Sequence, residues 1–213
     1  MRDVLRIRPV MVCGLFLAVG PAWAVAQVQP GRTGAVLMLT DGTVSVNNTP
    51  IEAAAMPFVL GEPAAVRTGQ GRAAIALKGD GWLFLDASSS VRVLANADYN
   101  FNRVDVLSGS AIVSSATSTP LIECESATRT SSGGWFRFDA QPTNAAGERP
   151  CRVRVYEGAA AVPLVTVTNA LRAGQSMICN RRCGDMIPTR DFSISELDAF
   201  DKWAQAALRL LSK

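Results

Sequence analysis

The residue types able to do chemistry in this 213-residue chain are restricted, because the sequence contains no histidine. Ser-His-Asp and Cys-His catalysis and histidine-ligated zinc are therefore excluded, and only carboxylates, Cys, Lys and Tyr remain for proton transfer. Glu123 and Glu125, two apart on a predicted strand, would lie about 6 to 7 Å apart on one face, a separation that glycosidases use. Two acids on one strand cannot flank a substrate from opposite sides, so a carboxylate-based hydrolase is the disfavoured alternative to a solvated strand face.

Other patterns that could indicate a ligand are weak on inspection. Gly69-Gln70-Gly71-Arg72-Ala73-Ala74 matches a dinucleotide-binding loop, but too few residues follow for a helix before the next turn, so it predicts a plain β-turn. No calcium-loop pattern is present, and we predict no metal and no cofactor. The net charge is only +3 and there is no basic run, which excludes a nucleic-acid footprint.

The N-terminal segment has the order of a secretory signal. Three arginines precede an apolar stretch that ends in small residues. Cleavage is predicted after Ala24-Val25-Ala26, so that residues 1–26 are removed, with Ala22-Trp23-Ala24 as a second possible site. An uncleaved anchor is the alternative, but glycine and proline interrupt the apolar run. We therefore expect a periplasmic or secreted protein with no stable membrane span after signal cleavage.

Four cysteines remain in the exported chain, and an even number predicts two disulfides. Cys124 and Cys151 each alternate with charged residues along apolar strands, so both sulfurs are expected to face inward. We predict a buried Cys124–Cys151 bond between strands and a small loop closed by Cys179 and Cys183. A four-thiolate zinc site is the alternative, which the single CxxxC spacing and the oxidising compartment disfavour.

From Gly34 to about Val167 the chain consists of short apolar alternations broken by glycine turns, which predicts an all-β body. Trp82 and Trp135 in these segments, together with Trp203, could stack on sugars, giving a carbohydrate- or cell-wall-binding module as a second functional hypothesis. Large aromatic side chains in a small β-domain more often fill its interior, and we expect that here.

The residue pattern of the C-terminal region, residues 189–213, predicts an amphipathic α-helix. Ser193 and Glu196 have the spacing of a capping box, and apolar residues then recur at helical spacing. The polar face is not basic, so packing on the β-domain or on a protein partner is favoured over lipid. The recurring residues are Leu197, Phe200, Ala204, Ala207, Leu208 and Leu211.

The order of turns and strands resembles the FecR-domain family over about Gly34 to Met177. The departures are Gly134-Trp135 where Gly-Thr is usual and Cys124-Glu125 near the family's Thr-Pro. The segments that carry the resemblance are Val66-Arg67-Thr68-Gly69, Gly79-Asp80-Gly81, Leu107-Ser108-Gly109-Ser110-Ala111, Gly133-Gly134-Trp135-Phe136, Val153-Arg154-Val155-Tyr156-Glu157-Gly158 and Leu171-Arg172-Ala173-Gly174-Gln175.

The resemblance implies a β-roll or solenoid of short strands at residues 27–188, with no catalytic residues to carry over. Signalling members of the family relay a receptor's occupancy to a sigma factor through a cytoplasmic N-terminal segment. Only eight residues precede the apolar stretch here, so we expect a stand-alone exported module without that segment.

The function predicted from the sequence is non-enzymatic binding of another cell-envelope protein, in signalling or structural assembly, including self-assembly. Three outward-facing residues of the strand after Cys151 and one on the helix are the predicted contacts with that partner. They are Arg152, Arg154, Tyr156 and Trp203.

Overall fold

Glycine turns and short apolar alternations divide the body into many brief strands, as the sequence predicts. The computed structural model describes residues 34–95, 102–117, 120–124, 126–130, 133–145, 147–163, 168–179 and 190–213. The predicted signal at residues 1–26 lies outside these ranges, as do Cys183 and Glu125. The strands are β1 Val36–Asp41, β2 Val44–Val46, β3 Thr49–Ile51, β4 Phe58–Val59, β5 Ala64–Thr68, β6 Arg72–Ala76, β7 Gly81–Leu85, β8 Ser90–Ala95, β9 Asn102–Ser115, β10 Leu121–Cys124, β11 Ser126–Thr130, β12 Gly134–Ala140, β13 Cys151–Glu157, β14 Ala159–Pro163, β15 Thr168–Arg172, β16 Gln175–Cys179 and β17 Arg190–Asp191.

The strands form two sheets that share β9. Sheet A runs β4-β1-β6-β7-β9-β12-β13-β16-β17 and is antiparallel throughout the described residues. Sheet B runs β3-β2-β5-β8-β9-β10-β11-β14-β15 and is antiparallel except at the β9–β10 pair, which is parallel.

The change of sheet along β9 occurs at a glycine. Ser108 still pairs with Ser90 of sheet B, whereas Gly109 pairs with Ala140 of sheet A. Gly109 has φ +76°, and a Cβ there would lie 2.6 Å from the Ser89 Cα. Only glycine takes this conformation without strain and clash, so the Ser-Gly-Ser turn noted in the sequence is the corner between the sheets.

The inner faces of the two sheets enclose the main core. The predicted Cys124–Cys151 disulfide is confirmed, and it joins β10 of sheet B to β13 of sheet A with a Cα–Cα distance of 5.7 Å. Both cysteines are buried, as strand parity predicts. Cys179 is also buried and lies opposite Cys151 in the β13–β16 register. Because Cys183 is not among the described residues, the Cys179–Cys183 bond stays a prediction.

Helix α1, Ala199–Leu211, follows the strands, so the predicted all-β fold with a C-terminal helix is confirmed. The predicted capping box of Ser193 and Glu196 is wrong, because the helix begins later. Asp198 is the N-cap, accepting from the backbone N–H groups of Phe200 and Asp201, while the Asp201 carboxylate accepts from the Asp198 N–H. Two aspartates supply the reciprocal bonds that Ser and Glu supply in the usual motif.

The predicted dinucleotide-like loop is a turn, as expected. Residues 69–71 connect β5 directly to β6 with no helix between them. A Cβ on Gly71 would lie 2.2 Å from the Asp41 carbonyl oxygen, so glycine is required by the close approach of two backbones.

Candidate functional site

The outer face of sheet A carries an apolar row that ends in charged residues. Across neighbouring strands, Ala74 pairs with Phe84, Phe84 with Ile112, Ile112 with Arg137, and Arg137 with Arg154. The first three side chains are fully buried although they face away from the main core. An element outside the sheet must therefore cover them.

Helix α1 is that element, and its apolar face forms a second core with sheet A. Phe200, Ala204 and Ala207 are buried at this interface, with Leu208 and Leu211 partly buried around it. Phe84 meets the Trp203 ring edge-on at a centroid distance of 6.2 Å. The predicted apolar face is thus confirmed from Phe200 to Leu211 and packs on the protein's own β-domain, whereas Leu197 precedes the helix.

A cluster of charges lies at the N-terminal end of this interface. Arg137 Nε is 2.8 Å from Asp139 Oδ1, and its Nη1 is 2.6 Å from Asp198 Oδ2 and 3.2 Å from Asp201 Oδ2. Arg154 Nη2 lies 3.3 Å from Asp139 Oδ2. Since Arg137 is on the sheet and Asp198 and Asp201 are on the helix, the guanidinium fastens the capping box to the sheet.

Burial and charge act in opposite directions on these groups. Burial by itself lowers the pKa of Arg137, but the surrounding carboxylates outweigh it and the pKa is raised. Burial tends to raise the pKa of Asp198, yet the Asp201 backbone N–H and Arg137 bring it down to about 2. Burial dominates at Asp201 and raises its pKa, although Arg137 opposes the effect.

A groove of about 280 Å³ opens beside the helix and is the candidate functional site. Its lining is mainly apolar, with Glu157, Gln205 and Arg209 supplying polar groups. Ile194 is 51% exposed there, an unusual position for a large apolar side chain. The apolar and aromatic lining residues are Trp135, Tyr156, Ile194, Leu197 and Leu208.

Two walls of the groove are fixed by strong local constraints. A Cβ on Gly134 would lie 2.1 Å from the Phe136 ring, so only glycine allows the strand to present Trp135 beside it. Tyr156 packs edge-on against Phe192 at a centroid distance of 5.2 Å. The indole nitrogen of Trp135 is buried and makes no hydrogen bond within the described part of the chain.

The four predicted contact residues all lie on or near this outer face, in different settings. Tyr156 lines the groove, while Trp203 packs within the aromatic cluster and its ring lies 5.6 Å from the Arg72 guanidinium carbon. Arg154 is held by Asp139, and Arg152 is half-buried next to Asp139 in the β12–β13 register. Their role as partner contacts stays a prediction.

The other candidate chemical residues are dispersed. Glu123 forms an ion pair with Arg103 on the outer face of sheet B, and its predicted companion Glu125 is not described. Trp135 is buried, as expected of an aromatic side chain that fills the interior, whereas Trp82 and Trp203 are only half-buried. Among the described residues no cluster of three or more Cys, Asp or Glu side chains could hold a metal ion.

Sequence reasoning missed the Arg137 cluster. Arg137 and Asp139 alternate with buried phenylalanines on β12. This alternation predicts that the two charged side chains lie on an ordinary solvent-exposed face of the strand. Asp198 and Asp201 are three apart, which is a capping-box spacing that could have located the true helix start. Their contacts with Arg137 span 61 and 64 residues and leave no local signal in the sequence.

The two-sheet fold is similar to that of known structures. Two crystal structures of a proposed anti-sigma factor from Parabacteroides distasonis ATCC 8503, at 2.50 and 1.65 Å resolution, each match with a TM-score of 0.50 and 14% sequence identity. Each match covers 62% of this chain and 61% of the other, about three fifths of that protein's length. At this identity the likeness establishes the fold alone.

No protein-family model matches the chain, and no curated protein matches it. Within the part of the chain that the structure describes, none of the helices is both long and apolar enough to span a bilayer.

Proposed function

We propose that this protein is an exported, non-enzymatic module of the FecR type that binds another cell-envelope protein, in a signalling or assembly role. The apolar groove beside helix α1 is the observation that carries this proposal. Its lining of five apolar or aromatic residues with three polar ones has the composition of a protein-binding surface, in which an apolar centre is combined with a polar rim. The partner contributes apolar side chains that pack on Ile194, Leu197 and Tyr156.

Two features support the class of protein and its compartment. The fold is shared with a protein described as a proposed anti-sigma factor, which fits the motif order that resembles FecR domains. The Cys124–Cys151 disulfide ties the two sheets together, and such structural disulfides persist in oxidising compartments such as the periplasm. A periplasmic or secreted location follows from this proposal together with the secretory-type leader in the sequence.

The non-enzymatic part of the proposal rests on the chemistry of the charged side chains. The most deeply buried ones, Arg137 and Asp201, are used to hold the helix against the sheet. Glu123, the described member of the carboxylate pair, is neutralised by Arg103. These contacts have the character of structural ion pairs and not of an acid and base poised around a substrate.

Site-directed photo-crosslinking tests the binding role. A photoreactive phenylalanine analogue is placed at Ile194 in the groove and, as the matched control, at Arg92 on the outer face of sheet B. In cells that produce the protein, we expect the Ile194 position to yield a crosslink to one envelope protein, identified by mass spectrometry. The Arg92 position should not yield it.

Binding is then reconstituted from purified components with the unlabelled protein. Ile194→Lys should weaken binding of the identified partner by about tenfold or more, because a charge is placed against an apolar contact. Leu210→Lys, at a helix position that is 64% exposed and does not line the groove, should leave binding unchanged. Equal crosslinking from both positions, or no effect of Ile194→Lys, would contradict the proposal.

A further inference from the structure

A second, larger groove of about 700 Å³ lies on sheet B, where β5, β8 and β9 run side by side. Arg67 pairs with Ser90, and Ser90 with Ser108, so these three residues form one row across the sheet. Leu107 and the turn residue Ser88 also line it, and Arg149 reaches it from the connection between β12 and β13. None of the lining residues is acidic.

The two arginines of this groove donate hydrogen bonds to neutral oxygen atoms. Arg67 Nη1 donates to the side-chain oxygen of Asn48 at 3.2 Å, and Arg149 Nη1 donates to the backbone oxygen of Leu107 at 2.7 Å. Both acceptors are neutral, and neither arginine makes an ion pair within the described residues. Each guanidinium is therefore held in place while its charge and its other N–H donors stay available to an anion.

The serine hydroxyls divide into structural and available groups. Ser89 exchanges hydrogen bonds with Ser110, donating to its backbone oxygen and accepting from its N–H, and Ser89 is buried. The hydroxyls of Ser88, Ser90 and Ser108 make no hydrogen bond to the described residues. Three hydroxyls thus line the groove between two cationic side chains.

The backbone at Ser88 adds an independent observation. Its φ is +56°, in the left-handed region that glycine occupies at lower cost, and its N–H donates to the Gly69 carbonyl at 2.7 Å. The hydrogen bond to Gly69 fixes the backbone position from which Ser88 lines the groove.

The groove has the wrong form for a peptide. Strand β5 is paired with β2 and β8, and β8 with β5 and β9, so neither β5 nor β8 has a free edge for an added strand. Leu107 is its one apolar lining residue, which leaves no pocket for the apolar anchors that dominate protein interfaces. A ligand that offers an anionic group and several hydroxyls matches the guanidinium and serine lining.

We propose that this groove binds an anionic saccharide. Arg67 and Arg149 bind its carboxylate or phosphate substituents, and Ser88, Ser90 and Ser108 hydrogen-bond to its ring hydroxyls. The site is separate from the apolar groove beside helix α1 and does not depend on the partner proposed there. The protein would thus contact an acidic polysaccharide through sheet B and a protein through sheet A.

Calorimetric titration of the whole protein with trigalacturonate tests the site, with maltotriose as the neutral probe and hexaglutamate as the charged peptide probe. We expect trigalacturonate to bind at least about tenfold more tightly than either of the other probes. Its affinity should fall at higher salt, because salt screens the attraction between opposite charges. The double variant Arg67→Gln/Arg149→Gln should bind trigalacturonate about tenfold or more weakly than the unsubstituted protein does, because charge-assisted hydrogen bonds are lost.

Arg92→Gln is the matched control, because Arg92 is on the same face of sheet B but lies 3.9 Å from the Asp105 carboxylate. It should leave trigalacturonate binding within about twofold, since its charge is already compensated. Amide chemical shifts of Ser88 to Ser90 and of Ser108 should move on titration. The proposal is overturned if trigalacturonate does not bind, if Arg92→Gln weakens binding as much as the double variant, or if hexaglutamate binds as tightly.

Discussion

The outer faces of the two sheets are built on the same alternating pattern but have opposite surroundings. On sheet A the outward side chains include Phe84, Ile112 and Trp135, which are buried beneath helix α1. On sheet B they form a row of charges, in which Arg92 and Arg103 pair with Asp105 and Arg103 also pairs with Glu123. Alternation of side chains gives each strand an inner and an outer face. The polarity of the outer side chains then decides whether another element, such as helix α1, packs on that face.

The same comparison separates two kinds of ion pair. Arg137 on sheet A is 8% exposed and contacts three carboxylates, whereas Arg103 on sheet B is 41% exposed. In water the ion pairs of Arg103 are screened and add little to the free energy of unfolding. Beneath the helix, loss of Arg137 would leave carboxylates in a region from which water is excluded.

The largest effect is expected from the apolar part of the helix interface. Phe200→Ala removes a 2%-exposed ring from the second core and should lower the free energy of unfolding by about 4 kcal/mol. Leu210→Ala, on the exposed side of the same helix, should change it by less than about 0.5 kcal/mol. Urea denaturation measures both, and equal values would mean that the helix does not pack on sheet A as described.

A somewhat smaller loss is expected from the charge cluster. Arg137→Met should cost about 3 kcal/mol, because Asp201 loses its counter-charge in a buried site and Asp139 loses one of its two arginine partners. Arg103→Met on sheet B removes a solvent-exposed arginine that contacts two carboxylates, those of Asp105 and Glu123, and should cost less than about 1 kcal/mol. Similar losses for the two variants would contradict the distinction drawn between the two faces.

The smallest effect concerns pH and the half-exposed Asp198. Its folded-state pKa of about 2 lies below the unfolded value near 4, so the stability it contributes is present above about pH 4 and is lost as the pH falls toward 2. Asp201 acts with the opposite sign: its raised pKa favours the folded state when it is protonated, and this contribution is lost as the pH rises through that pKa.

Asp198→Asn keeps a capping oxygen but removes the charge. At pH 7 it should lower the free energy of unfolding by about 0.5 kcal/mol, a small value because solvent screens the half-exposed carboxylate. The difference from the unsubstituted protein should shrink as the pH falls toward 2, where the Asp198 carboxylate of the folded protein becomes protonated. Thermal unfolding between pH 2 and pH 7 measures it, and a difference that grows toward low pH would refute the assignment.

Much of the fold could be predicted from local patterns. Alternation located the strands, inward parity predicted the Cys124–Cys151 bond, and helical spacing identified the buried face of α1. The helix start was misplaced because Ser193 and Glu196 fit the commoner capping motif while the true box uses two aspartates. Arg154 and Trp203 could be recognised as outward-facing or aromatic, but not as parts of the covered face of sheet A.

The sequence by itself determined which side of each strand and helix is apolar, because side-chain direction follows backbone periods of 2 and 3.6 residues. Only the tertiary structure decided which outer face the helix covers and that Arg137 meets Asp198, 61 residues away. It also decided that Arg67 and Arg149 line one groove. These contacts depend on how segments that are distant in the sequence are arranged in the two sheets. A contact between two such segments does not change the periodic pattern of apolar residues in either of them.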